Sequence, residues 1–364
     1  MATVAPAVTV TVGEQVFSEE HEEVHVRRGP RSGLHAVIAV HSTFRRRSLG
    51  GCRLWTYDEL DDAVRDAERL SRAMTFKAAA ADVPLGGGKG VIALLPGDEL
   101  TPARRHAALE DFGELVEAFD GRYITAEDVG ISTADLDWVA RRTDHVVGRA
   151  RSHGGSGDPS GMTARGVEVA MRTALQHATG DASLRGRAVT IAGLGHVGAK
   201  LAARLARAGA RLTVSDIDDG KRAIAERLDA RWVAPGEAIS VPGDVFAPCA
   251  LGGVIDERAV DRLNVRVVCG AANNQLAHEH LAERLRERGI LWTPDFVANA
   301  GGLINVVCEL EGDDPDRARE RVLGIAATLR EVFRRAAAHD IDTLAAAQEL
   351  AHERLAARAA SKTI

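Results

Sequence analysis

Two lysines separated by a glycine-rich segment are the residues of this chain whose types and spacing could do chemistry. Lys77 and Lys89 lie twelve positions apart in MTFKAAAADVPLGGGKG, residues 74–90, and a run of glycines precedes the second lysine. Two lysines that line one pocket can take different tasks: one binds a carboxylate and the other takes part in proton transfer. Glycines let the backbone approach a ligand where a Cβ would clash. The pair predicts a site for a small carboxylate-bearing molecule, although a solvated lysine after a turn would give the same letters.

Bulk composition excludes several classes of protein. The chain has 364 residues, of which 27% are charged and 45% hydrophobic, as is ordinary for a soluble globular protein of two domains. The net charge of -6 gives no electrostatic reason to expect nucleic acid as a partner. No apolar run approaches the roughly 20 residues of a membrane span, so we expect no membrane partner. The four cysteines show neither zinc-site nor disulfide spacing, so we expect no metal, free thiols and a cytoplasmic location.

Hydrophobic periodicity places the two lysines in a first α/β domain, expected over residues 1–150. Strands are predicted at residues 35–42, at 50–55, at 90–95 and in the segment RYITAEDVG. A helical pattern runs over residues 58–80, and on it Lys77 is predicted to lie on the inward face with Met74. The N-terminal residues 1–17 are expected to form a loose arm or an edge strand at an oligomer contact.

A phosphate-binding fingerprint opens a second domain, expected over residues 151–335 after a linker rich in Gly, Ser and Pro at 149–161. The run AVTIAG predicts a strand buried on both faces, and GLGHVG, residues 193–198, follows before a helical pattern. The next strand ends in Asp216. In a dinucleotide-binding βαβ unit such glycines shape the turn and admit the pyrophosphate, while the acid binds the adenine ribose. Asp216 would repel a 2′-phosphate, so the pattern predicts NAD rather than NADP.

Further strand patterns complete the second domain. They lie at residues 231–233, 244–247, 265–269 and 290–292, which makes about six parallel strands in a doubly wound Rossmann sheet. A C-terminal helix, residues 336–364, is expected to return to the first domain. The predicted fold class is therefore α/β, with two domains.

Eight short strings together resemble the amino acid dehydrogenases that act on glutamate, leucine, valine or phenylalanine. They are LGGCRLW, MTFK, PLGGGKG, TAEDVG, GLGHVG, FAPCALGG, CGAANNQLAH and TPDFVANAGG. The resemblance implies NAD-dependent, reversible oxidative deamination of an L-amino acid to the 2-oxo acid and ammonia. It also implies a homo-oligomer, a dimer or an octamer, with the first domain binding substrate and forming the subunit contacts. An NAD-binding regulator without activity is the alternative from another class, and the intact Lys77, Lys89 and Asp128 argue against it.

The resemblance implies a role for each candidate site residue. Lys89 would activate water, Asp128 would exchange protons with the substrate amine, and Lys77 would grip the α-carboxylate. The rest of the substrate site is expected from Leu49, Gly50, Gly51, Met74, Ala126 and Val306. Cofactor contacts are expected from Gly193, Gly195, His196, Val197, Gly198, Asp216, Thr163, Ala272, Asn273, Asn274 and Asn299.

Three of these positions bear on the side chain of the substrate. Glutamate-using relatives carry a lysine where this chain has Leu49 and a small hydroxyl residue where it has Val306, so the resemblance implies an apolar pocket. Phenylalanine-using relatives often carry a glycine where this chain has Ala126, and the extra methyl favours leucine, valine or isoleucine. Other strings, such as DVFAPCALGG, resemble phenylalanine-using members, so an aromatic substrate is the alternative. The basic run at residues 45–47 departs from the family's turn next to the pocket.

Overall fold

The computed structural model describes residues 20–361, which form two compact units. Of the described residues, one unit contains 20–158 together with 354–361, and the other contains Pro159–Glu353. The arm expected over residues 1–17 lies outside the described part of the chain.

The first unit is built on a five-stranded sheet with helices on both faces. Its strands are β1 (Glu23–Arg28), β2 (His35–Ser42), β3 (Ser48–Thr56), β4 (Gly86–Leu94) and β5 (Tyr123–Glu127). Its helices are α1 (Leu60–Ala80), α2 (Pro102–Glu117) and α3 (Thr133–Val139). The strand order is β1-β2-β4-β3-β5, with β4 antiparallel to β2 and parallel to β3, and β3 parallel to β5. One apolar core lies between the sheet and α1, and a larger one lies around Phe112 of α2 and Tyr123.

The glycine triplet lies inside β4 rather than in a turn before it, so the predicted strand began too late. A Cβ at Gly87 would lie 2.2 Å from the backbone nitrogen of Thr75 in α1. A Cβ at Gly88, on the opposite face, would lie 2.6 Å from a ring carbon of Tyr123. Glycine is needed on both faces because helix and aromatic ring pack directly onto the strand. A sequence pattern cannot distinguish this need from that of a turn.

Helix α1 contacts the sheet through small residues in its second half. Ser71, Thr75 and Ala78 are buried, whereas Met74 and Lys77 are partly exposed on the flank of the helix. The prediction that Lys77 lies on the inward face was therefore wrong. The close approach of α1 to Gly87 leaves room only for small inward side chains, so the large residues do not mark the buried stripe there.

The end of the last helix, α14 (Thr343–Ser361), packs on the end of α1. Arg354 donates from Nη1 to the carbonyl oxygens of Ala80, at 2.7 Å, and Ala79, at 3.2 Å. The Ala79 carbonyl also accepts the backbone N–H of Asp82 at 3.0 Å, so the guanidinium adds a second donor there, gives the Ala80 carbonyl a donor and opposes the negative end of the helix dipole. The contact fixes the helix turn that carries Lys77.

The basic run is a tight turn between β2 and β3. Phe44 and Arg47 exchange two backbone hydrogen bonds of 3.0 Å, and the two residues between them, Arg45 and Arg46, have φ values of 51° and 62°. Left-handed backbone at non-glycine residues costs about 1 kcal/mol each. The departure from the family's turn is therefore a strained hairpin that leads directly into Leu49.

The second unit is a doubly wound parallel sheet. Its strands are β6 (Ala188–Ala192), β7 (Arg211–Ser215), β8 (Arg231–Trp232), β9 (Val245–Pro248), β10 (Val267–Val268) and β11 (Leu291–Trp292), in the order β11-β10-β9-β6-β7-β8. Its helices are α4 (Ser160–Thr179), α5 (His196–Arg207), α6 (Arg222–Arg227), α7 (Pro235–Ala238), α8 (Glu257–Arg262), α9 (Leu281–Glu287), α10 (Asp295–Ala298), α11 (Gly301–Glu311), α12 (Pro315–Val322) and α13 (Ile325–His339). The direction of winding reverses between β6 and β9, as in dinucleotide-binding sheets. The predicted fold class is confirmed.

Candidate active site

Strand register puts the candidate catalytic residues on one face of the first sheet. The constant offset between β3 and β4 places Gly51 beside Lys89, and Gly51 pairs with Ala126 of β5. Opposed residues in neighbouring strands point to the same face, and so do residues two apart along one strand. Lys89, Ala126 and Asp128 therefore share a face. It is the face covered by α1, because Gly87 lies two residues before Lys89 and contacts that helix.

The two residues predicted to be catalytic are in contact. Lys89 Nζ donates a hydrogen bond of 2.5 Å to Asp128 Oδ2. The side chain of Lys89 is 6% exposed and that of Asp128 is 23% exposed. Gly51 makes the room, because a Cβ there would lie 2.8 Å from the Asp128 Cβ. The site thus holds an ammonium and a carboxylate at hydrogen-bonding distance in largely buried surroundings.

Nearby cations keep the Asp128 carboxylate ionised. Burial by itself raises the pKa of this carboxyl, but the Lys89 ammonium and, after it, the Arg53 guanidinium outweigh burial and lower the pKa below its ordinary value. An ionised carboxylate can accept a proton from a bound ammonium group and return it. The arrangement can therefore carry out proton transfer at a substrate nitrogen.

Arg53 also belongs to the site, although the sequence pattern did not predict it. Its Nε donates to Asp128 Oδ2 at 3.2 Å, and its Nη1 donates to Asp66 Oδ2 at 2.8 Å. The sequence could have indicated this role, because Arg53 lies two residues beyond Gly51 in LGGCRLW and so points to the same face of β3. The sequence did not show that α1 brings Asp66 to the same guanidinium.

The other substrate candidates lie on three elements. Gly50 belongs to β3 with Leu49, which is 3% exposed, and a Cβ at Gly50 would lie 1.7 Å from the carbonyl oxygen of Gly88. Met74 and Lys77 lie in the last turns of α1. Val306 is buried in α11, in the second unit.

The three glycines of the fingerprint have different surroundings. Gly193 has a φ of 104°, a left-handed backbone that favours glycine, and a Cβ there would lie 2.8 Å from that of Ala250. A Cβ at Gly198 would lie 2.0 Å from the carbonyl oxygen of Gly193. At Gly195 a Cβ would meet nothing within 4 Å. The first glycine thus shapes the turn and the third permits close packing, while the second faces open space that a pyrophosphate could take.

Helix and strand ends complete this turn. His196 and Val197 begin α5, so the positive end of the helix dipole faces the turn. Asp216 directly follows β7, and its Oδ2 accepts a hydrogen bond of 2.6 Å from the backbone N–H of Leu194. Its Oδ1 accepts one of 2.9 Å from the backbone N–H of Asp218. The predicted acidic residue is therefore fixed against the fingerprint.

A second polar cluster lies at the start of α11. Asn299 donates from Nδ2 to Asn273 Oδ1 at 2.8 Å and to the carbonyl oxygen of Ala272 at 3.5 Å. Its own Oδ1 is buried and has no hydrogen-bond partner among the described residues. A buried acceptor of this kind fits an amide N–H of a ligand. The structure thus brings together Ala272, Asn273 and Asn299, three of the predicted cofactor residues.

Thr163 and Asn274 are the remaining cofactor candidates. Thr163 lies in α4 beside the start of α11, since a Cβ at Gly302 would lie 2.7 Å from its Oγ1. Asn274 follows Asn273 and has a left-handed φ of 50°. Both residues therefore neighbour elements of the Asn299 cluster.

Residues 20–361 contain no group of three His, Cys, Asp or Glu side chains arranged to hold a metal ion. Over the same residues, no helix is both long and apolar enough to cross a membrane. All four cysteines are free thiols.

Two family profiles match the chain. The first, described as Glu/Leu/Phe/Val dehydrogenase, dimerisation domain, matches residues 17–145. The second, described as Glutamate/Leucine/Phenylalanine/Valine dehydrogenase, matches residues 154–227 and 214–362. Together they cover nearly the whole chain.

Individual proteins are similar over the same length. A leucine dehydrogenase of Thermoactinomyces intermedius is 41% identical over 338 residues, which are 92% of this chain and 91% of the relative. A valine dehydrogenase of Streptomyces albus is 44% identical over 340 residues, 92% of each chain. The crystal structure of L-tryptophan dehydrogenase from Nostoc punctiforme is similar with a TM-score of 0.78 and 35% identity, covering 93% of this chain and 96% of that one.

Proposed function

Since the chain belongs to the Glu/Leu/Phe/Val dehydrogenase family, we propose that it catalyses the NAD-dependent, reversible oxidative deamination of a branched-chain L-amino acid. The products are the 2-oxo acid and ammonia. The buried contact between Lys89 and Asp128 carries the proposal, because deamination needs proton transfer at both water and nitrogen. The leucine and valine dehydrogenases, 41% and 44% identical to this chain, support the substrate class.

Three side chains of the first unit would handle the substrate. Lys77 would bind the α-carboxylate as a point charge. Asp128 would take a proton from the substrate ammonium and later return one to the departing nitrogen. Lys89, once its amine is neutral, would accept a proton from the water that attacks the oxidised carbon, and the ammonium so formed would stabilise the oxygen charge that develops. NAD, when bound, supplies the hydride acceptor for the substrate Cα.

The second unit would hold NAD. The open side of Gly195 and the start of α5 fit a pyrophosphate, and Asp216 fits the hydroxyls of the adenine ribose. The orphaned Asn299 Oδ1 fits the carboxamide N–H₂ of the nicotinamide. Thr163 and Asn273 would line the same end of the cofactor.

Removing the Asp216 carboxylate should weaken NAD binding and narrow the preference for NAD over NADP. The carboxylate would accept hydrogen bonds from the ribose diol and repel a 2′-phosphate. Asp216→Ala is compared with Asp219→Ala, a surface acid three residues on whose side chain is 80% exposed. The measurement is the Kd of each cofactor for each variant. Equal affinity of the wild-type protein for NADP and NAD would show that Asp216 does not select the cofactor.

An aromatic amino acid is the second candidate substrate. The similarity to L-tryptophan dehydrogenase, which extends over 96% of that chain, favours it. Against it, Ala126 shares the face of Lys89, so its methyl group occupies space on the substrate side of the sheet. Leu49 adds apolar bulk two residues before Gly51 on the same face.

Ala126→Gly should raise kcat/KM for phenylalanine relative to leucine. Deleting one methyl group from an apolar pocket makes room for a phenyl ring more than for an isobutyl group. The change in the phenylalanine-to-leucine ratio of kcat/KM should correspond to a free energy of roughly 1–3 kcal/mol. The two substrates serve as each other's control, since loss of stability would reduce both rates together. An unchanged ratio in a folded, active variant would remove Ala126 from the pocket and weaken the preference for aliphatic substrates.

We also propose a cytoplasmic homo-oligomer, a dimer or an octamer. The profile over residues 17–145 describes a dimerisation domain, which supports self-association. The free thiols support a reducing compartment.

The stoichiometry of the products tests the proposed reaction. Incubation with leucine and NAD should release NADH, ammonia and the 2-oxo acid in equal amounts, measured by absorbance, an ammonia electrode and mass spectrometry. NADH without ammonia would mean that a different bond of the substrate is oxidised.

A further inference from the structure

An arginine to which the proposed mechanism gives no role lies behind Asp128. Arg53 bridges two carboxylates, with Nε at 3.2 Å from Asp128 Oδ2 and Nη1 at 2.8 Å from Asp66 Oδ2. Its side chain is 21% exposed, so water screens these contacts only in part. A planar guanidinium with fixed N–H directions can orient two carboxylates at once, which an ammonium cannot do.

The far carboxylate, Asp66, is itself fixed. Its Oδ2 accepts a second hydrogen bond of 2.9 Å from the hydroxyl of Tyr57, and its Oδ1 accepts one of 2.7 Å from Arg69 Nη2. Burial raises the pKa of Tyr57, and Asp66 raises it further, so the phenol keeps its proton and acts as donor. Tyr57 and Arg69 thus hold Asp66, and Asp66 in turn holds the end of Arg53 that is remote from Asp128.

Both cations bind the same oxygen of Asp128. The bonds from Lys89 Nζ and Arg53 Nε end on Oδ2, and the backbone N–H of Val129 also binds the carboxylate, whereas in the part of the chain that the structure describes no side chain donates to Oδ1. We propose that Arg53 is a positioning residue for Asp128: it fixes Oδ2 and the plane of the carboxylate so that Oδ1 is presented to the substrate nitrogen. The inference rests on the proposed function, which makes Asp128 the proton carrier.

The charges around Asp128 give the proposal a pH signature. β4 contributes Lys89, β3 contributes Arg53 and the Cys52 thiol, β5 contributes the Tyr123 phenol, and α1 contributes Asp66 and, farther along, Lys77. Burial raises the pKa of both Cys52 and Tyr123, so these two groups stay neutral. Among residues 20–361, Arg53 and Lys89 are therefore the charged groups of opposite sign that contact Asp128 directly.

The sign of the expected shift follows from the role of Asp128. Asp128 must be ionised and the Lys89 amine must be neutral for each to accept a proton, so protonation of either group lowers activity as the pH falls, and removing the neighbouring Arg53 cation favours the protonated form of both. Removing a cation that contacts a carboxylate raises the carboxyl pKa. Without Arg53, the acid limb of the kcat/KM profile should move upward by about one pH unit.

The test compares three variants of the full-length protein. Arg53→Gln should lower kcat by on the order of 10-fold to 100-fold, as a misplaced proton carrier does, and should move the acid limb upward. Arg53→Lys keeps a charge but reaches only one carboxylate, so it should restore part of the pH profile and little of kcat. Arg69→Gln is the matched control, because Arg69 also binds Asp66 but does not contact Asp128. That variant should leave the acid limb in place.

Two results would overturn the proposal. One is an acid limb that stays in place in Arg53→Gln, and the other is an equal shift in Arg69→Gln, since either would mean that Arg53 only supports the fold. If Arg53→Gln does not fold, Arg53→Lys and Asp66→Asn take its place. Each should lower kcat relative to Arg69→Gln, and equal rates in all three would overturn the proposal.

A spectroscopic titration separates this inference from the proposed reaction. The carboxyl pKa of Asp128, measured by carbon NMR without substrate, should be higher in Arg53→Gln than in the wild-type protein. An unchanged pKa would overturn the role of Arg53 whether or not the protein turns over amino acids. If the wild-type protein formed NADH with none of the amino acids, the proposed function would be overturned. The effect of Arg53 on the pKa of Asp128 would not be affected by that result.

Discussion

Replacing Lys89 by alanine should lower kcat by on the order of 10²-fold or more, the usual loss when a general base is removed. The variant loses the group proposed to accept a proton from water. It also removes the ammonium that lies 2.5 Å from Asp128, which disturbs the second proton carrier. NAD binding should survive, because the fingerprint lies in the other unit. Initial rates of NADH formation and fluorescence titration with NAD measure the two quantities.

Two other lysines serve as comparisons for Lys89→Ala. Lys200→Ala removes one ammonium from an exposed position on α5 and should leave kcat unchanged. Lys77→Ala should raise KM for the amino acid, because the proposed role of Lys77 is to bind the α-carboxylate. Near-normal turnover in Lys89→Ala would remove Lys89 from the mechanism.

The largest expected effect on stability comes from Gly50→Ala. The added Cβ would lie 1.7 Å from the carbonyl oxygen of Gly88, and backbone cannot yield there without separating β3 from β4. Overpacking against rigid backbone should cost about 3 kcal/mol or more. We expect a lower unfolding midpoint in urea or little soluble protein.

Gly236→Ala is the control for this substitution. A Cβ at Gly236, in α7, would meet nothing within 4 Å, and alanine favours a helix over glycine. Its unfolding midpoint should equal or slightly exceed that of the wild-type protein. Equal midpoints for the Gly50 and Gly236 variants would show that β3 and β4 can separate at little cost.

The sequence was sufficient wherever the relevant contacts are local. The turn at residues 193–198 is defined by one strand, one helix and the acidic residue at the end of the next strand. The sequence pattern of this short segment therefore predicts the geometry of the turn. The six parallel strands were also predictable, because strands buried on both faces give continuous apolar runs.

The sequence was insufficient where two distant elements approach closely. The glycines of β4 have the sequence pattern of a turn, yet they lie in a strand and are needed because α1 packs against Gly87. The same approach makes the inward residues of α1 small, which moved Lys77 from the predicted inward face to the flank. Arg53 was missed because its role depends on Asp66 and Asp128, 13 and 75 residues away in the chain.

The contact between Lys89 and Asp128 spans 39 residues and was predicted only through the resemblance to a family. No periodicity connects the two residues. Strand register connects them, since Gly51 lies between β4 and β5 and leaves room for the two side chains to meet. A pairing of this kind follows from sheet order, which the local pattern of either strand does not contain.

The rate of NADH formation across a panel of amino acids shows whether this protein oxidises amino acids and whether it prefers aliphatic ones. Leucine, valine, isoleucine, phenylalanine, tryptophan and glutamate are each supplied at equal concentration with NAD, and kcat/KM is measured by NADH absorbance. We expect the highest values for the aliphatic substrates, lower values for the aromatic ones and no activity with glutamate, whose side-chain carboxylate would be buried unpaired beside Leu49. No NADH with any of the six, or glutamate as the best substrate, would contradict the proposed function.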